Sequence, residues 1–515
     1  MADLVLINAN VLTMNPAQPH AEAVAIVKDR IVRVCKTDEV SSLIEENTKI
    51  LDLQRKTIIP GFIDTHIHVA DFGRTLAWLD LKEVDSIKKL QDIVEERAKE
   101  TLKDRWILGS GWNQENFVEK RRPTLQELDA VAPDNPIILY HQLGRACITN
   151  SKALRLSGIT KTTYIQNDGV IEKDSETGEL TGILEGSATD LVWNCIPAPT
   201  EEETVEAAKE ACRKIVEAGI TSIHWIALSD TEASIAQKLI QGDEVMPRVF
   251  LIVTSEIFEN LSSDKTNMNI NGVLVFLDGY LASQTAALKQ PYVGNAANNG
   301  KMYYTQEEMN QLVAKIREAD LQIVIHAMGD KAIDVALKAL QSITKTGNYP
   351  NRLEQAALLN RRLIESIRRT KPIVSIQPKV VESEFNMWSA IEHLGEGRAR
   401  MLFPLKALIK NGVCIIAGSD CPMEPLSPML GIQSLVMRKP FSEERLSVEE
   451  ALRLYSLNAA VATEEEKEKG SIEEGKLADL TVLSQNPMTI ASDELANIMI
   501  EMTVIGGRIL YQKLS

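Results

Sequence analysis

TIIPGFIDTHIHV, residues 57–69, is an apolar run that ends in two histidines, His66 and His68. The chain has only seven histidines in 515 residues, and two of them stand here, two positions apart. In a strand, residues i and i+2 project from one face, so both imidazoles would enter a single space about the width of an ion. A chance pair in a surface loop is the alternative, and the rest of the chain must decide between them.

Outward from that stretch, apolar strand candidates recur between helical segments. They are TSIHWIA (221–227), PRVFLIV (247–253), GVLVFLD (272–278), LQIVIHA (321–327), PIVSIQP (372–378) and GVCIIAGSD (412–420), with a weaker one near RLEQAALL (352–359). Helix starts are marked by capping boxes at Thr200/Glu203, Thr305/Glu308 and Ser447/Glu450. Eight near-continuous apolar strands alternating with helices predict an α/β fold with a parallel sheet, and eight is the number that closes a (β/α)8 TIM barrel. An open doubly wound sheet competes, but no glycine-rich nucleotide loop follows any strand.

Residues 1–58 and 466–515 have a different texture, with short strand-like runs separated by turns. A single β-sandwich built from both termini is the economical reading, since the chain ends of a domain often lie close together. The expected organisation is sandwich 1–58, barrel 59–465 and sandwich 466–515. Residues of about 72–200 break the pattern and read as an insertion after the first strand, placed to cover the barrel mouth.

Composition excludes other classes. A net charge of −16 leaves no basic face for a nucleic acid. No apolar run reaches the ~20 residues of a membrane helix, and the start MADLVLINANVLTM reads as a strand rather than a signal peptide. Six scattered cysteines without C-x-x-C spacing fit a reduced, cytoplasmic protein.

In barrels of this kind, chemistry gathers at the C-terminal ends of strands. His66 and His68 end the first strand, His326 ends LQIVIH and Asp420 ends VCIIAGSD. Three imidazoles and a carboxylate suit one divalent ion: zinc first, then iron or manganese. Such an ion lowers the pKa of water from ~15.7 to about 7, and Asp420 is placed to take a proton as the catalytic acid–base. Taken singly, His326 could be a packed core histidine and Asp420 a helix N-cap, but neither alternative explains why all four stand at predicted strand ends.

These motifs resemble the metal-dependent amidohydrolase superfamily, from GFIDTHIH through HAMGD and AGSDCPME to GSIEEGKLADLTVL and GGRILY. GSGWNQE, NSKAL, VFLDGYLASQTAAL and IHAMGDKAID narrow the likeness to its YtcJ-type branch, which includes N-substituted formamide deformylases. The resemblance implies a metal-binding barrel with a terminal β-sandwich and hydrolysis of C–N bonds in amides, ureas or cyclic imides. Three positions depart from the pattern. A bridging lysine of the fourth strand is Leu274, a sixth-strand histidine is Gln355 (in Glu354-Gln355-Ala356), and a histidine of the insertion is Arg145. Leucine cannot bridge cations, so the departures predict a mononuclear site.

Gln355 can hydrogen-bond a substrate carbonyl. Asp278 either contacts substrate nitrogen or caps the following turn. Lys379 and Arg145 either grip a substrate carboxylate or form a solvated rim. His224 reads as a packed histidine, and Glu185 as a lid residue or simply exposed. The expected protein is a hydrolase of an amide-type C–N bond in a small organic molecule, with a sandwich available for self-association. A deaminase, a lyase or decarboxylase, and a catalytically impaired binding protein are the alternatives.

Overall fold

A computed structural model describes residues 1–513 except 143, 145, 166–168, 243–245, 265–268 and 344–346. Eight parallel strands form one sheet: β1 (Phe62–Ile67), β2 (Ile220–Ala227), β3 (Arg248–Thr254), β4 (Gly272–Phe276), β5 (Gln322–Ala327), β6 (Arg352–Gln355), β7 (Ile373–Ile376) and β8 (Ile415–Ala417). Each pairs with the next in chain order. Just beyond β8 the sheet closes on itself: the Asp420 N–H donates to His66 O at 2.8 Å and the His68 N–H to Cys421 O at 3.0 Å. The fold is therefore the expected (β/α)8 barrel, and all eight predicted segments are its strands. The three capping boxes also form, with Thr200 and Glu203 bonding reciprocally at 2.9 and 3.1 Å.

The barrel interior has two halves of different character. On β2 to β5, Ile226, Phe250, Ile252, Leu274 and Val324 pack together as an apolar cluster. Towards β1, β6 and β7 the interior is polar: Asp64, His66, Arg352, Glu354, Ser375 and Gln377 are all buried. A fully buried Arg352–Glu354 ion pair lies among them.

Strands from both ends of the chain share a six-stranded sheet, in the order Arg508–Gln512, Ile500–Ile505, Leu480–Leu483, Thr57–Pro60, Asn10–Leu12, His20–Ala21. A four-stranded sheet of Arg30–Cys35, Ala23–Val27, Leu4–Ile7 and Lys49–Asp52 packs on it. Leu4, Leu6, Val24 and Ile26 meet Val11, Ile58, Leu480, Val482 and Val504 in one core. Thr57–Pro60 runs straight into β1 and pairs antiparallel with Leu480–Leu483, so the far end of the chain anchors the strand that carries His66.

The chain divides into two compact units, Met1–Phe72 with Ala208–Ser515, and Gly73–Ala207. The second has its own mixed sheet, in the order Val170–Lys173, Leu180–Glu185, Ala146–Thr149, Ile137–His141, Ile107–Trp112, Leu79–Asp80. Its core includes Leu90, Trp112, Phe117, Leu139 and Ile148.

Candidate metal centre

His66, in β1, and His68, just after it, have ring centroids 5.4 Å apart and planes at 79°. Nε2 of each lies 3.5 Å from Asp420 Oδ1. Asp420 is brought there by the seam of the barrel, where its backbone takes a left-handed turn at φ 64°. Among the described residues, these three alone form a cluster of donors spaced for one ion.

His326, at the end of β5, lies outside that tight trio but is coupled electrostatically to His66 and Asp420. Burial, with the charge of His66 adding to it, pushes its pKa down to about 4. Both of its ring nitrogens are buried without a hydrogen-bond partner, as is Nδ1 of His68. Buried polar atoms left unpaired cost about 1–3 kcal/mol each, so a neutral imidazole in this position is suited to a ligand role. The donors therefore fit a divalent cation: imidazole nitrogens and one carboxylate, directed into a largely buried space.

Around the trio, carboxylates orient the ligands. Asp64 Oδ1 accepts from the His66 N–H at 3.1 Å and from the Ser419 N–H at 2.8 Å, tying β1 to the segment after β8. Burial raises its pKa. Glu354 Oε2 lies 2.8 Å from His66 Nδ1 and 3.0 Å from Gln377 Nε2. Burial alone would raise the pKa of Glu354, but the Arg352 guanidinium and His66 together hold it well below the usual carboxylate range. Arg352 in turn donates to His224 Nδ1 at 2.8 Å, to Ser375 Oγ at 3.2 Å and to the Thr65 carbonyl. His224 is thus a packed histidine, its pKa driven well below normal by burial and then by Arg352 and Lys469.

The remaining expected site residues are distributed as follows. Gln355 ends β6, is 2% exposed and leaves Oε1 without a partner. It and Ala356 both adopt left-handed backbone, φ 66° and 42°, a strain that proteins concentrate at functional sites. Asp278 Oδ2 accepts from the Ala287 and Gly329 N–H groups at 2.8 and 2.9 Å, and Oδ1 from Met328 at 2.9 Å. Of the two roles open to it, turn capping accounts for both oxygens. Burial, against those three bonds, pushes its pKa up to about 7. Lys379 pairs with Glu382 at 2.7 Å, and Glu185 with Arg122 at 2.7 Å. Arg145 lies outside the described residues. Leu274 is fully buried in the apolar half of the barrel.

Sequence reasoning passed over Asp64, Arg352, Glu354 and Tyr280. The Tyr280 ring lies 5.1 Å from that of His326, and its hydroxyl is pushed up to about 12 by burial and then by the charge of Asp420. The available signal was R-x-E within β6: alternate residues of a barrel strand share a face, and here that face is the interior.

A closed parallel barrel with histidines and an aspartate at its strand ends defines the class, and comparison with known proteins agrees. The amidohydrolase family model matches residues 49–511, and the chain belongs to that family. It is 33% identical over 486 residues to a putative amidohydrolase, YtcJ, of Bacillus subtilis, covering 90% of this chain and 91% of that one. It is also 27% identical to the N-substituted formamide deformylase of Arthrobacter pascens, over 100% and 99% of the two chains. Among solved structures, an uncharacterized metal-dependent hydrolase from Pyrococcus furiosus superposes with a TM-score of 0.76 at 26% identity, covering 94% of this chain and all of that one. Family and site together make this a metal-dependent amidohydrolase. No helix among the described residues is long and apolar enough to cross a membrane.

Proposed function

We propose that the protein hydrolyses an amide-type C–N bond of a small organic molecule at a single divalent ion, zinc being the ion its donors suit best. His66, His68, His326 and Asp420 would hold the ion. The observation that carries this reading is the approach of two imidazole Nε2 atoms to one Asp420 oxygen, with a third imidazole, His326, whose buried nitrogens make no hydrogen bond. Support for a single ion comes from Leu274, an apolar side chain among apolar neighbours at the position where the resemblance implies a bridging lysine.

When bound, the ion supplies Lewis acidity that makes water nucleophilic near neutral pH. Asp420, partly exposed beside the imidazoles, takes the proton from the attacking water and delivers it to the departing nitrogen, giving a carboxylic acid and an amine. Gln355 hydrogen-bonds the substrate through its carboxamide, and Asp278 holds the loop after β4 against the loop after β5. Lys379, whose ammonium is paired with Glu382, offers a cation for an acidic substrate group. The scattered spacing of the six cysteines, without a C-x-x-C pair, supports a reducing, cytoplasmic setting.

Metal analysis of protein purified without chelator, together with turnover on a panel of acyl amides, tests the proposal. About one ion per chain, lost with activity in His66→Ala, is expected. No ion, or an ion without turnover on any amide, would reject it. Leu274 and Gln355, an apolar and a neutral group where the resemblance implies a lysine and a histidine, favour a binding protein as the second reading. That reading is supported by ligand binding without product.

A further inference from the structure

We propose that Glu354 is a positioning residue for the metal-binding edge of His66, with Arg352 as its fixed counter-charge. The affinity of the site would then be set by a buried side chain that does not itself touch the ion. The inference rests on the single-ion reading above.

The argument begins with donors and acceptors. An ionised carboxylate only accepts, so the 2.8 Å contact with Glu354 Oε2 requires Nδ1 of His66 to carry the hydrogen. That tautomer leaves the lone pair on Nε2, the atom facing Asp420 Oδ1. A second partner fixes the carboxylate: Gln377, just after β7, donates to the same Oε2 at 3.0 Å, so the oxygen is held between β1 and the end of β7. The other oxygen faces Arg352 Nε as an ion pair, without the alignment of a hydrogen bond.

Arg352 is immobilised by groups from three further strands. It contacts the Thr65 carbonyl of β1, His224 of β2 and Ser375 of β7. Neither Arg352 nor Glu354 reaches solvent. A buried pair of this kind gains little stability over an apolar pair of equal volume, so stability alone does not account for its presence in a barrel interior. Orientation of a ligating imidazole does, because a histidine ligand generally donates its other ring N–H to such a partner.

Two full-length variants test this. Glu354→Asp keeps both charges but withdraws the acceptor oxygen from Nδ1 by about one methylene. Arg352→Met combined with Glu354→Leu removes both charges and the acceptor for Nδ1, and leaves no unbalanced ion inside. Zinc affinity is read by competition with a chromophoric chelator, the ligand field by the visible absorption of the Co²⁺-substituted protein, and folding by thermal unfolding of the metal-free chain. Weakening of zinc binding by about 10–100-fold is expected in each folded variant, with an altered Co²⁺ spectrum. Unchanged zinc affinity and an unchanged Co²⁺ spectrum in either folded variant would overturn the assignment. A wild-type chain that binds no zinc or cobalt would instead overturn the metal reading on which it rests.

Discussion

Replacing Leu274 by lysine installs the group that a bridged pair of ions would need, and the structure dictates what this costs. Leu274 is enclosed by Ile226, Phe250, Ile252 and Val324, with no charged partner in that cluster. A lysine buried among apolar side chains titrates near ~5–6 rather than ~10.4. At pH 7 the folded chain would hold it neutral while the unfolded chain keeps it protonated. The distance of about 3.4 units between pH 7 and ~10.4, at ~1.36 kcal/mol per unit, removes about 4.6 kcal/mol of stability. Against a typical total of ~5–15 kcal/mol, that leaves a marginal protein. The sign with pH follows: the folded pKa is depressed, the unfolded state binds the extra proton, and stability rises with pH. By pH 9 the loss shrinks to about 2 kcal/mol. Urea unfolding at the two pH values measures both quantities, and metal analysis of the same samples counts the ions. Wild-type stability at pH 7, no gain at pH 9 and two ions per chain would show that the interior accepts a bridging lysine, and the single-ion argument would fail.

Two further expectations concern stability. Glu384 is buried, with Oε2 unpaired, and burial raises its carboxyl to about 8, so the folded state keeps a proton that the unfolded state releases above ~4.3. Wild-type stability should therefore fall as pH climbs towards 8. Glu384→Gln should abolish that slope, gaining at most about 5 kcal/mol at pH 8 and little at pH 4, as read by urea midpoints. Ser447 Oγ accepts from the Glu450 N–H at 3.2 Å in its capping box, so Ser447→Ala should lose about 1 kcal/mol, seen as a lowered Tm with unchanged metal content.

The barrel was legible because its strands are enclosed on both faces and therefore read as apolar runs. β6 was the faintest for the same physical reason: Arg352, Glu354 and Gln355 give it the composition of a surface segment, yet all three are buried. His66, His68 and Asp420 could be found from their places at strand ends. Their supports could not, because nothing in a linear pattern says that Glu354 will meet a histidine 288 positions earlier. The middle segment resisted reading as well. Its sheet pairs Ile107–Trp112 in parallel with both neighbours and the other strands antiparallel, so no single period runs through it.

The barrel's seam imposes an order of events during synthesis. His66 and Asp420 are joined by the backbone bond that closes the ring, and β1 is braced by Leu480–Leu483. A ribosome must therefore release the chain at least through Leu483 before the pocket is complete. Truncated or half-made copies would present two stray imidazoles rather than a chelate, and would compete poorly for whatever cation the cell keeps scarce.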